Sequence, residues 1–508
     1  MSSTFLAFNV ASRAMEASQA TINVTGNNIA NINTAGYSRQ RVDINAITSS
    51  GGIQKYATPQ ISTGLGAKAV GTTQMRDPFM DARYRSQNAE ASQYDKMITG
   101  LSDLENVFDE AQTDGLQTEL SNFIGSLQTF SETPTSPDIA QVTRTEAQKV
   151  TQITNMYANQ IKDVRKQQVD DLTFVVSNDI NAAAKSIANL NDQIRTEEIY
   201  GNKPNELYDQ RNSLIDKLSG IANIKVNRTT ETISKDLTID NLSISIGDDP
   251  NTPFMLVNKD KYNEVDLVDA GDKVKLVFKE TGSVDKDITN LFSDGSVKGY
   301  LNLINGKGSF ADLTTKENDS KGIPYYQKTM DIFASKFAQV FNDINKVGTA
   351  ETPLFSTTDG STEITAANIQ VSQAWLDNAS YINTTTDPTG TPGSADNVLR
   401  MISAMTADQE FEAVPGDPQT TTFKGTFNEY MTGVLGDISM DVDLNNKFAS
   451  TSKNVLDSIA TSREAVSGVS LNEEGINLTA YQKVYNAAIR FFNVLDENLD
   501  TIINTMGK

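Results

Sequence analysis

Residues 478–506 read LTAYQKVYNAAIRFFNVLDENLDTIINTM. Within this stretch Leu478, Tyr481, Tyr485, Ala488, Phe492, Leu495, Leu499, Ile502 and Met506 follow one another at alternating steps of three and four. That spacing is the a/d seam of a sustained heptad repeat and predicts a long coiled-coil helix. The stripe reads as narrow, with polar residues around it, so the helix requires a partner helix.

The other end of the chain supplies a candidate. Phe8, Ala11, Met15, Ile22, Ile29 and Ile32 share one stripe of the same spacing, with Ser18 and Thr25 in two of its positions. Ala7, Val10, Ala14 and Ala17 flank it with small apolar surface. This helix is expected to stop in the Asn-rich run before Gly36, where glycine takes the left-handed conformation past a helix end. Each seam lacks neighbours in a free subunit. Residues alone leave two readings open: ordering on assembly, or an antiparallel hairpin formed within one chain.

Proline breaks helix interiors, and none occurs in 1–58, 138–203 or 419–508. The proline clusters at 133–137, 387–393 and 414–418 read as loops. In the middle, Val150, Ile153, Tyr157, Ile161, Val164, Leu172, Val176, Ile180, Ala183, Ile187, Leu190 and Ile194 form one stripe, interrupted only at Gln168. It predicts a helix about 67 Å long, and hence a rod-like bundle. Further helices are expected near 86–108, 116–130, 205–220, 323–347, 394–406 and 423–467. Residues 226–293 change to period-two alternation, as in Leu242/Ile244/Ile246 and Val274/Leu276/Phe278, and predict a small antiparallel β domain. Residues 350–393 read as an irregular excursion with little core of its own.

The fold expected is therefore mainly α with inserted β. Terminal coiled-coil helices (1–70 with 468–508) join a rod-like helical bundle (71–225, 294–349 and 394–467). The antiparallel β domain (226–293) projects outward. Composition narrows the function. The 508 residues include no Cys and no His. Disulfides, thiolate nucleophiles, His general bases and nearly every zinc site are thereby removed. No carboxylate pattern suggests a metal or glycosidase site, so neither enzyme activity nor a cofactor is expected. The formal net charge of −22 repels phosphate backbones and argues against nucleic acid. No apolar run is long enough for membrane insertion. No Sec-type leader opens the chain, with no Lys or Arg before Arg13.

Three blocks carry a resemblance. Residues 23–40, NVTGNNIANINTAGYSRQ, are similar to the N-terminal signature of the flagellar rod, hook and junction proteins. The ending GYSRQ points to the hook-associated protein 1 branch of that family. Residues 188–194, ANLNDQI, and 207–218, LYDQRNSLIDKL, resemble the central stretch of the same branch. Residues 467–474, SGVSLNEE, running into 477–482, NLTAYQ, resemble its C-terminal signature. Ala35 stands where the family often has Pro, and Asn472 where it often has Asp. The signature positions are Asn27, Asn28, Asn31, Gly36, Tyr37, Asp209, Gln210 and Arg211.

The resemblance implies a structural subunit of the bacterial flagellum at the hook–filament junction, extracellular and exported without a cleaved signal peptide. It implies a ring in which the terminal helices pair in the innermost tube. Partners implied are further copies of the chain, the flagellar hook subunit, the second hook-associated junction protein and a flagellar export chaperone. It also favours seams that order on assembly, with the seam residues as the subunit-assembly interface. Rival readings are another flagellar axial protein or an adhesin carried on the outer domains. Asn27, Asn28, Asn31 and Asn33 have a plain alternative as local caps and turns. Tyr37 and Arg39 either contact a neighbouring subunit or are merely solvated.

Overall fold

The computed structural model describes residues 2–47, 64–108, 115–234, 237–247, 254–278, 285–312, 314, 317–347, 351–387 and 393–505. The chain opens with α1 (Ser2–Ala30), a hairpin of β1 (Gln40–Ala46) and β2 (Ala67–Gln74), then α2 (Pro78–Val107), α3 (Leu116–Glu132) and α4 (Pro137–Phe174). A π-helical turn, Val175–Ile180, joins α4 to α5 (Asn181–Ile199), and α6 (Asn205–Ile221) follows. The inserted strands are β3 (Ile224–Ser234), β4 (Leu237–Ile246), β5 (Phe254–Asn258), β6 (Lys261–Tyr262), β7 (Val265–Asp269), β8 (Val274–Phe278) and β9 (Lys286–Asp287). Then come α7 (Ser296–Asn305), α8 (Ile323–Asn345), β10 (Phe355–Thr357), β11 (Ile369–Val371), α9 (Gln373–Asp377) and α10 (Asp396–Thr406). The chain closes with β12 (Gln409–Glu412), β13 (Thr421–Gly425), α11 (Phe427–Ser467) and α12 (Leu471–Asp500).

The helix starts follow local chemistry. Asp77 caps α2 by accepting from the Phe79 amide at 2.9 Å, with Pro78 in the first turn where no amide is needed. Thr426 and Glu429 form a reciprocal capping box that launches α11, whose 41 residues extend about 61 Å. Helix α11 runs antiparallel along α2: Ser439 donates to Glu105 at 2.7 Å, Phe448 meets Tyr94 at 5.3 Å and Arg463 lies 4.7 Å over the Tyr84 ring. Gly100 lets α7 come close, since a Cβ there would sit 2.3 Å from Leu303 Cδ1.

Two apolar cores form. The larger joins the end of α2 with α3, α4, α8, α10 and the start of α11, and its centre is aromatic. Phe337 lies 4.8 Å from Phe341 and 5.0 Å from Phe355, and Phe411 stacks on Tyr430 at 4.1 Å. The second spans the end of α4, the π turn, α5, α6 and α7, and closes on β4, β5, β7 and β8. The β insertion forms an antiparallel four-stranded sheet (β3-β4-β5-β6) and a three-stranded one (β7-β8-β9). Its inner face is buried on helices.

Several expectations change. The long central helix is not uniform, because the π turn at 175–180 shifts its register while Val176 and Ile180 stay buried. Gln168, the break in the apolar stripe, is fully buried and donates to Asp103 at 3.2 Å. Pro137 begins α4 rather than sitting in a loop, whereas 414–418 is a loop as expected, at the tip of the β12–β13 hairpin. Residues 388–392 of the third proline cluster lie outside the described residues. The segment from 351 is irregular, yet Leu354, Phe355, Ile369, Val371, Trp375 and Ile382 are built into the larger core. Trp375 is fully buried, with its indole N–H donating to the Ala379 carbonyl at 3.3 Å.

Candidate assembly site

Helices α1 and α12 pack on each other antiparallel. Phe8 meets Phe492 edge-to-face at 5.0 Å near one end, and Asn28 donates to Glu474 at 3.2 Å near the other. Ala11, Ala17 and Ala488 are buried, so small side chains mark where the helices approach. On α1 Phe8, Met15, Ile22 and Ile29 are partly buried, while Ile32 lies past the helix end and is exposed. On α12 Leu478, Tyr481, Tyr485, Phe492, Leu495 and Leu499 are partly buried. The Ile502 side chain and Met506 lie outside the described residues. In the structure the two seams meet within one chain. Both lie on one chain, and the turn at 31–39 and β1–β2 bring them together without a neighbour.

The stripe on α12 is also not narrow. Ile476, Val484, Phe491 and Val494 line a second row, 71%, 52%, 46% and 54% exposed. Ala480 and Ala487 complete it at steps of four, four, three, four and three. The sequence carried its signal in the doublets Phe491-Phe492 and Val494-Leu495, where two seams run side by side.

The signature residues form the polar end of this pair. Helix α1 stops at Ala30, and Gly36 takes φ +81°, the left-handed conformation expected of it. The buried Asn28 side chain accepts from the Tyr37 hydroxyl at 2.9 Å and the Gln40 amide at 3.0 Å, and donates to the Gln40 carbonyl at 2.9 Å. Asn31 donates to the Asn27 carbonyl and side chain at 3.0 and 2.9 Å, a local cap. Burial, then the charges of Asp209, Glu206 and Glu474, push the Tyr37 hydroxyl up to about 12, so it remains a donor. Arg39 holds Glu474 at 2.7 Å and Glu473 at 2.9 Å, tying the loop after α1 to the start of α12 within the chain.

A second cluster fastens this end to the rod. The Ser38 amide donates to Asp209 at 3.1 Å, and Arg76 donates to the Ser38 hydroxyl at 3.1 Å. Arg76 pairs with Asp81 at 2.9 Å and lies 3.7 Å from Asp209. Arg463 spans Asp81 at 2.8 Å and Asp216 at 2.5 Å, and Arg85 also holds Asp216 at 2.7 Å. Three arginines and three aspartates thus link the 36–40 loop, α2, α6 and the end of α11. Burial works to raise the Asp81 carboxyl, but the hydrogen bond and charge of Arg76, with Arg463 and Arg85, outweigh it and hold it low. For Asp209, burial wins over the Ser38 and Arg76 interactions and the carboxyl is raised. Apart from Asp209 these charges were not anticipated, since each sits in the sequence among ordinary polar residues.

The Asp-Gln-Arg signature therefore splits three ways. Asp209 joins the ion cluster, Gln210 is exposed beside Tyr37 at a cavity of about 530 Å³, and Arg211 turns away to donate to Asn191 at 2.9 Å.

The match to known proteins is end to end. The chain is 30% identical over 525 residues to flagellar hook-associated protein 1 of Bacillus subtilis, covering 100% of this chain and 99% of that one. The chain belongs to the flagellar hook-associated protein 1 family. Residues 101–354 match the family model described as flagellar hook-associated protein FlgK helical domain, and residues 8–37 the flagella basal body rod protein model. Flagellar hook-associated protein 1 of Salmonella typhimurium is 25% identical over 563 residues, with 98% of this chain and 99% of that one covered. Among solved structures, the flagellar hook junction protein FlgK of Burkholderia pseudomallei shares the fold, with a TM-score of 0.55 at 14% identity over 76% of this chain and 100% of that one. A member of the hook-associated protein 1 family is a structural component of the flagellum, at the junction of hook and filament, and associates with other axial components.

Proposed function

We propose that this subunit works mechanically, as a ring member whose α1–α12 pair enters the axial core while the ion-clamped rod and β insertion face outward. The observation that carries this reading is the second apolar row on α12, left without a partner among the described residues after α1 has covered the first. Four large apolar side chains at helical spacing form an exposed stripe of the kind that marks association. Burying them contributes roughly 1.5–3 kcal/mol for each large side chain, less its present burial. The half-buried seam residues keep edges that neighbouring copies cover further.

Partners on this reading are copies of the chain, the hook subunit on one side and the second hook-associated junction protein on the other. The subunit leaves the cell through the flagellar export apparatus, and an export chaperone grips the α12 stripe in transit by helix-in-groove packing. No catalysis is involved, in keeping with a chain that has neither His nor Cys.

Gene deletion with electron microscopy tests the reading. The expected result is hooks without filaments and flagellin shed into the medium. Normal filaments on the deletion strain would overturn it. Removal of 478–508 is expected to abolish chaperone capture, and undiminished capture would remove that partner from the scheme.

A further inference from the structure

We infer that a small anion of the phosphate or sulfate class binds where β2, the first turn of α6 and the β3–β4 strands meet. Arg211 is only 4% exposed, yet no ion pair engages it among the described residues. One guanidinium nitrogen donates to Asn191 Oδ1 at 2.9 Å and the group lies 5.4 Å over the Tyr208 ring, while among the described residues Nε and the remaining nitrogen make no hydrogen bond. A buried guanidinium with unused donors is costly unless something accepts from them. Burial, then the nearby Arg228, lower its proton affinity to about 10, against the weaker opposing pull of Glu198 and Asp240.

The cavity that Arg211 lines has a volume of about 290 Å³. Lys203 and Arg228 line it too, and among the described residues neither is in an ion pair. Of the other charged groups on its wall, Arg76 and Asp81 pair with each other, which leaves Asp240. Three cations face Asp240 on the wall, with Glu198 acting on Arg211 from behind it, so a positive excess remains in a chain whose net charge is −22. That local excess suits an anion. Thr72 and Asn212 add neutral polar groups to the wall. Bound there, the anion joins Arg228 of the β insertion to Arg211 of the rod.

The test is calorimetric titration of the full chain with sodium phosphate and with sodium sulfate, ionic strength held constant with sodium chloride. Saturable one-site binding is expected for both. Arg228→Gln carries the test, because Arg228 is exposed and its loss leaves the folded contacts in place. It is expected to weaken binding at least about tenfold, the worth of one charge-assisted hydrogen bond. Lys453→Gln, an exposed cation on α11 that does not line the cavity, is expected to leave affinity unchanged. No saturable binding, equal affinity in Arg228→Gln, or equal weakening by Lys453→Gln would each overturn the assignment.

Discussion

Phe491 and Phe492 are neighbours in sequence with opposite tasks, and their substitutions are expected to separate hairpin stability from assembly. Phe492 is partly buried against Phe8, 5.0 Å away at an interplanar angle of 82°. A fully buried Phe→Ala change costs about 3–5 kcal/mol, so a half-buried ring loses about 2 kcal/mol. At 1.36 kcal/mol per decade, amide exchange in α1 and α12 of the isolated subunit should accelerate about 30-fold in Phe492→Ala. Phe491 is 46% exposed and lies in the outer row. Phe491→Asp should change exchange little, since exposed substitutions stay within about 0.5 kcal/mol. In an assembled ring the same carboxylate would be buried unpaired, at about 3–5 kcal/mol, and association should fall more than about 100-fold. The assay pairs hydrogen exchange on the monomer with electron microscopy of a deletion strain carrying each variant. Full-length filaments with Phe491→Asp would refute the outer row as an assembly surface. Unchanged exchange in Phe492→Ala would refute the seam as the source of hairpin stability.

Three further outcomes are expected. Leu495→Asp or Leu499→Asp puts a charge in the seam and should abolish junction formation while the outer cores melt as in the parent, which calorimetry on the purified variants would show. Arg463→Gln removes the bridge between Asp81 and Asp216 and should destabilise the clamp by about 3 kcal/mol, read as faster exchange across 36–40 and the end of α11. Asp331 accepts from the Ala366 amide but is raised by burial from its ordinary 3.8 to about 6. A raised carboxyl favours the folded state below pH 3.8 and loses that contribution as pH climbs to about 6. Asp331→Asn should therefore stabilise the protein at pH 8 by about 3 kcal/mol and leave it unchanged near pH 3.5, as urea melts at both pH values would show.

Periodic apolar patterns were legible wherever one element packs along its whole length. The seam from Leu478 to Leu499 and the stripe from Val150 to Ile194 both appear as helices, because burial of one face sets their spacing. Short elements were not. Helix α7 escaped notice because its stripe, Val297, Tyr300, Leu301 and Ile304, spans only ten residues, and Gly299, Asn302, Leu303 and Asn305 around it are buried too. The π turn was equally hidden, since one added residue in the register leaves the apolar residues still inside. The β1–β2 hairpin reads poorly because its exposed members, such as Ile44 and Val70, interrupt the alternation. Trp375 and Phe355 lay in a Thr-rich stretch whose composition suggested loop, yet a few large side chains suffice to anchor irregular backbone in a core.

The site divides along the same line, and the division bears on how the subunit works. Apolar seams announce themselves by repetition, but the ion clamp has no repeat: Arg76, Asp81, Arg85, Asp209, Asp216 and Arg463 come from three separate segments. That placement matters mechanically. A heptad interface tolerates small sliding and rotation, because its contacts are non-directional. Paired guanidinium and carboxylate groups are directional, and inside a protein their desolvation is offset only in good geometry. The hairpin can therefore adapt to neighbours of two kinds, while the clamp holds the angle at which it leaves the rod. A subunit placed between two unlike tubes requires both properties, and substitution of Arg463 should disturb the second while sparing the first.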